Sequence, residues 1–156
     1  MTTTKHTAST MENPKHTAST VTTRGLRNNN PLNIRTSPQR FLGEADICTD
    51  RAFKQFQTQE YGLRAAFVIL RTYQRKHRLT TPAAMISRWA PRTENDTQRY
   101  ISIVCRRSAL APDQQLPWTD QHRMCALVSA MAFVESAADI DPDTLRRAYW
   151  MAYSDV

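Results

Sequence analysis

Glycine, cysteine and lysine are all scarce in this 156-residue sequence. The three glycines, Gly25, Gly43 and Gly62, form no phosphate-cradling Gly-rich loop and no GxSxG elbow, and HExxH is absent as well. The three cysteines, Cys48, Cys105 and Cys125, are too few and too scattered for a disulfide framework, a CxxC pair or a zinc cluster. Cys105 and Cys125 fall in apolar helical contexts that suit buried free thiols. No apolar run approaches the roughly 20 residues of a membrane-spanning helix. The first twenty residues have no apolar segment of the kind a secretory signal needs, so a target outside the cytoplasm would require another carrier. Only 4 of the 21 basic residues are lysine, and the other 17 are arginine. A net charge of +7 and a pI near 9.8 favour polyanionic partners such as nucleic acid, acidic lipid or the bacterial wall, without choosing among them.

The residues present divide the chain in two. KHTAST occurs at 5–10 and again at 15–20. A stretch so poor in bulky apolar groups does not offset its ordering entropy, so residues 1–23 are expected to be a disordered tail. Its His6 and His16 are better read as solvated than as metal ligands. Residues 24–156 are expected to form one domain, which the 40% hydrophobic content supports.

Within that domain, residues 31–57 lack helical periodicity. Short extended candidates (32–36, 47–49 and 52–56) flank the polar turn TSPQRFLGE and predict a β-hairpin or small three-stranded sheet. Helices are expected from Thr58 onward. Leu63, Ala66, Phe67, Leu70 and Gln74 follow the i, i+3, i+4, i+7 spacing. Thr81 with Pro82 opens a helix to about Trp89, and Pro91 stops it. Residues 93–96 cap the next helix, residues 119–136 form a fifth segment, and Asp141 with Pro142 opens a last helix to about Tyr153. The expected class is α+β, mainly helical.

Two glutamates carry candidate chemistry. On a wheel of residues 119–136, Glu135 falls on the face of Met124, Val128 and Met131, in the last turn. Partial burial and the negative helix end would both raise its pKa, as a general acid acting near neutral pH requires. The plainer alternative is a helix end that meets solvent, or a pair with a core arginine. Glu60 opens the helix after Thr58, where the positive dipole end keeps it ionised. It suits a base or an electrostatic partner, or simply a cap paired with Arg64. Glu94 and Asp96 fit a helix N-terminus and need no catalytic explanation. Trp89 and Tyr100 stand among the aromatic residues able to offer sugar-stacking surfaces, although most such residues are core.

RGLRNNNPLNIR, FKQFQTQEYGLRAA and ISRWAPRTENDTQRYISIV, in that order, resemble a group of phage-encoded virion or structural proteins. Their members read RNNNPGNIR, F-x-x-F-x-x-x-E-x-G-x-R-A and R-W-A-P-x-x-E-N-x-T-x-x-Y. The same order is more weakly similar to the glucosaminidase family of bacterial autolysins, which has a lysozyme-like fold. That family carries its catalytic glutamate on a helix before the asparagine loop, whereas here ALVSAMAFVESA lies at the other end of the chain. The second resemblance therefore implies a circularly permuted lysozyme-like domain over 24–156, with Glu135 brought back beside the asparagine loop.

That resemblance implies a peptidoglycan-cleaving glycoside hydrolase or lytic transglycosylase. Glu135 would be the acid and Glu60 the other candidate carboxylate. Asn28, Asn29, Asn30 and Asn33 would meet acetamido groups and hydroxyls, and Arg24, Arg27 or Arg35 a carboxylate; Trp89 and Tyr100 would stack on sugar. An Asn-rich turn that satisfies its own backbone is the competing account of the loop. No metal or organic cofactor is implied. The expected partner is bacterial peptidoglycan, reached in a phage particle, a lysis system or a contact-dependent secretion apparatus such as type VI. In that last case the protein is an antibacterial toxin matched by an immunity protein. A non-catalytic virion-associated or wall-binding module is the alternative. Nucleic-acid binding is the third reading, disfavoured because acidic residues interleave with dispersed arginines.

Overall fold

The computed structural model describes residues 22–154, so the repeat-bearing tail proposed for residues 1–23 lies almost wholly outside the described residues. Within them the chain forms a short helix α1 (Arg24–Arg27), a long irregular segment, and then α2 (Gln59–His77), α3 (Pro82–Trp89), α4 (Thr97–Ser108), α5 (Gln121–Ser136) and α6 (Pro142–Tyr153). Each helix from α2 onward starts on a side-chain oxygen that accepts an otherwise unpaired backbone N–H. Thr58 accepts from Tyr61 at 3.3 Å, Thr81 from Ala84 at 3.2 Å, Asp96 from Arg99 and Asp120 from Arg123 at 3.1 Å each, and Asp141 from Asp143 at 3.1 Å. Pro82 and Pro142 sit at the first helical position of α3 and α6, where no N–H is needed.

The expectation of an α+β, lysozyme-like fold with a small sheet is overturned. Strand-like pairing among the described residues is confined to two isolated antiparallel bridges, Arg35 with Phe53 and Glu44 with Phe56. The architecture is helical with a long irregular loop. The reason lies in where the loop's backbone groups find partners. Asn30 accepts from the Ile34 N–H and donates to the Ile34 and Lys54 carbonyls. Asp50 accepts from the Ala52 and Phe53 N–H groups, Gln55 from Thr49, and Glu44 from Phe41. Backbone bonds hold each bridge, from the Thr36 and Lys54 N–H groups to the Ala52 and Ile34 carbonyls and from the Ala45 and Gln57 N–H groups to the Gln55 and Gly43 carbonyls, but side chains take neighbouring groups and the pairing does not extend into a sheet. Lys54, 3% exposed, locks the loop from inside by donating to Glu44 Oε2 (3.0 Å) and to the Gln39 (2.7 Å) and Ser37 (3.2 Å) carbonyls.

The helices close around α5. Met124, Leu127, Val128, Ala130, Met131 and Ala132 are all buried, so α5 is apolar over more of its circumference than a single stripe, as befits a central helix. It packs on α1, α2, α4 and α6, while α6 runs along α2. Phe67 on α2 meets Tyr149 on α6 and Trp118 in edge-on contacts, with ring centroids 5.6 and 6.2 Å away. Tyr149 also stacks on Trp118 at 5.3 Å and donates its hydroxyl to the Trp118 carbonyl. Leu63, Ala66, Phe67, Leu70 and Gln74, the stripe read from sequence, are all buried on α2.

Candidate functional site

The asparagine run after α1 holds three parts of the protein together. Asn28 donates to Asp50 and accepts from Gln55, both at 3.0 Å. Asn29, in the left-handed region at φ 53°, donates to the Phe56 and Gln57 carbonyls. Asn30 is fully buried on its contacts to residues 34 and 54. Asn33, also left-handed, reaches across to α5 and donates to the Glu135 carbonyl at 3.0 Å. Thr23 donates to the Ser136 carbonyl, and Ser136 donates to the Pro31 carbonyl. The unpaired carbonyls at the C-terminus of α5 are thereby capped by the loop. Two glycines permit this approach. A Cβ on Gly25 would collide with the Ser136 hydroxyl, and one on Gly62 with the Asn29 carbonyl oxygen.

The loop and α5 together place Glu135 in a cleft of about 260 Å³ lined by Asn33, Ile34, Arg35 and Phe53 on one side and Trp89, Ala90, Glu94 and Asn95 on the other, with Ile69 and Tyr73 of α2. Glu135 Oε2 accepts from the Tyr100 hydroxyl at 2.9 Å and from Trp89 Nε1 at 3.2 Å. Its Oε1 faces Asn33 Nδ2 at 3.4 Å. Burial pushes the carboxyl above its ordinary pKa; the bonds from Tyr100, Asn33 and Trp89 and the charge of Arg35 oppose that rise without cancelling it. The Tyr100 hydroxyl is driven well above its usual range by burial and by Glu135, so it remains a donor. Thr97 fixes the α3–α4 turn by donating to the Ala90 carbonyl, which sets Trp89 and Glu94 against the cleft.

Of the residues singled out from sequence, Glu135, Trp89, Tyr100 and Asn33 come together here. Asn28, Asn29 and Asn30 spend their amides inside the loop. Arg27 donates to the Thr22 carbonyl, and Glu60 accepts from Arg147 of α6 at 3.0 Å; neither lines the cleft. Arg24 grips Asp50 with two 2.7 Å bonds, and Asp50 collects further donors from Asn28, Ala52 and Phe53. Those bonds, the Arg24 pair foremost, hold its carboxyl well below the usual carboxylate range. Glu94 was read as part of a helix start. Asp96 does cap α4, but Glu94 lines the cleft and lies 3.8 Å from Arg35. Tyr73 and Ile69 also line it, on the edge of the α2 stripe, where periodicity alone does not separate core from cleft wall. Cys125 is half-buried, and burial pushes its thiol up to about 11, which disfavours the thiolate that a nucleophile needs. Among the described residues no group of three or more His, Cys, Asp or Glu side chains is placed to hold a metal ion, and no helix is long and apolar enough to cross a membrane.

Comparison with known proteins identifies a phage relative. The chain belongs to the family of Protein P5 of Pseudoalteromonas phage PM2. The two are 39% identical over 119 residues, which cover 74% of this chain and 72% of the relative. No protein-family model matches the sequence. The relative is a phage protein, as the first resemblance implies, whereas the small sheet expected with the lysozyme-like one is absent among the described residues.

Proposed function

We propose that this phage-family protein is virion-associated and that its cleft takes a glycan strand of bacterial peptidoglycan, with Glu135 protonating the glycosidic oxygen. The observation that carries the reading is a carboxyl raised in pKa by burial, at the wall of an open cleft, whose orientation is set by three side-chain donors. Tyr100 and Trp89 both donate to Oε2, which directs the acid proton to Oε1 on the Asn33 side. As the glycosidic C–O bond breaks, that proton passes to the leaving oxygen and the sugar carbon takes up oxocarbenium character. Water, aided by the substrate's own acetamido group or by a carboxylate, completes hydrolysis; Glu94 is the other carboxylate lining the cleft. At about 260 Å³ the cleft sits just below the range of ordinary ligand sites, which fits one part of a longer strand crossing the surface.

One observation favours a second reading, a wall-binding module without chemistry. Both oxygens of Glu135 already have partners within the protein, and Glu94 is largely exposed and engaged with Arg35. Purified protein incubated with sacculi separates the two. The enzymatic reading expects soluble muropeptides, and their loss in Glu135→Gln without a lowered melting temperature. Sacculi that are bound but never cut support the module. Submicromolar affinity for duplex DNA with a steep salt dependence, and no affinity for sacculi, would reject both.

A further inference from the structure

Arg35 stands apart from the other arginines near the asparagine loop. Arg24 is held by two 2.7 Å bonds to Asp50, Arg27 donates to the Thr22 carbonyl, and neither lines the cleft. Arg35 lines the same cleft as Glu135, and its guanidinium lies 5.7 Å from the Phe53 ring centroid. Its carboxylate partner is Glu94, at 3.8 Å, too long for the close fork that guanidinium and carboxylate prefer. Both side chains are mostly exposed, at 71% and 61%. An ion pair of that length in water holds little free energy and exchanges readily. Arg35 comes from the loop wall and Glu94 from the α3–α4 turn, so the pair reaches between the two walls.

From this arrangement we infer that Arg35 is a carboxylate-binding subsite of the cleft, that its ligand is the free lactyl carboxylate of an amino sugar that bears no stem peptide, and that Glu94 occupies the site in its absence. The inference rests on the glycan reading above and narrows it: the strand is recognised by an acid substituent and not by acetamido groups alone. The exposed Arg35 guanidinium keeps its planar fork open toward the cleft, where it can close on a carboxylate with two parallel bonds. The ligand carboxylate displaces Glu94 and exchanges a weak internal pair for a bidentate one. Glu94 then sets a threshold, because any ligand that lacks the acid leaves the Arg35–Glu94 pair in place.

Calorimetric titration tests this with two probes, an alternating GlcNAc–MurNAc tetrasaccharide with free lactyl carboxylates and the same compound with those carboxylates reduced to alcohols. A Glu135→Gln background prevents turnover. The acid form is expected to bind about tenfold more tightly than the reduced form, the contribution of one charge-assisted pair. Arg35→Gln should erase that preference while leaving affinity for the reduced form in place. Glu94→Gln should tighten the acid form several-fold and leave the reduced form unchanged, an effect that a merely structural Glu94 would not produce. Equal binding of the two probes, or a preference that survives Arg35→Gln, overturns the subsite and spares the glycan reading. If neither probe binds, the glycan reading falls and takes the subsite with it.

Discussion

Glu135 and Asp50 show one functional group driven in opposite directions by its surroundings. Asp50 collects a bidentate guanidinium, a side-chain amide and two backbone N–H groups, and stays ionised far into acid. Glu135 also has donors, but desolvation outweighs them. The sign for stability follows from proton counting. With its pKa raised on folding, native Glu135 binds more protons than the unfolded chain over the interval between the ordinary carboxylate value and the folded midpoint, so stability falls as pH rises through that interval. Glu135→Gln should remove this decline. Urea unfolding across a pH series checks it: the variant's profile is expected to be flatter than wild type over mildly acidic pH, and parallel profiles would show that Glu135 titrates normally. Asp50 contributes in the opposite sense, adding stability above the ordinary carboxylate range that is lost on acidification.

The elements nearest the site owe their placement to contacts that composition does not reveal. Gly62 lies inside α2, where an alanine ordinarily stabilises a helix by about 1 kcal/mol. Here the added methyl meets the Asn29 carbonyl. Gly62→Ala is therefore expected to destabilise the protein by roughly 1–3 kcal/mol, reversing the usual sign, because a backbone segment must give way. Chemical denaturation measures the cost, and amide exchange at residues 28–33 should rise with it. A neutral or stabilising outcome would mean that α2 and the loop are not in close contact. The same loop explains the strand misreading. Residues 32–36 and 52–56 have the composition of strands and do pair at Arg35 with Phe53, but the Asn30 side chain takes the Ile34 N–H and Asp50 takes the Ala52 and Phe53 N–H groups, so the pairing stops there. Composition records which side chains can compete with a ladder; it does not record which of them reach.

For the molecule as a whole, stability centres on α5 and on the seam between α2 and α6. Phe67 is fully buried against Tyr149 and Trp118. Phe67→Ala should cost about 3–5 kcal/mol, a large share of the ~5–15 kcal/mol that holds a domain of this size. Its urea midpoint should fall accordingly, and a loss under about 1 kcal/mol would place the core elsewhere. Helices α2 to α6 were legible in the chain itself, because N-cap residues, helix-opening prolines and apolar spacing are local signals that act within a few residues. The candidacy of Glu135 was also legible, as a carboxyl on an apolar helix face. Its environment was not. Tyr100 lies 35 residues away along the chain, Trp89 46 and Asn33 102, and only the packing of α5 against the loop and the α3–α4 turn brings their donors to one carboxyl. Hydrogen bonds and desolvation act over a few ångströms of space, so neighbours this distant in sequence leave no periodic trace, and which carboxylate sits dry beside which donor is decided by the tertiary structure.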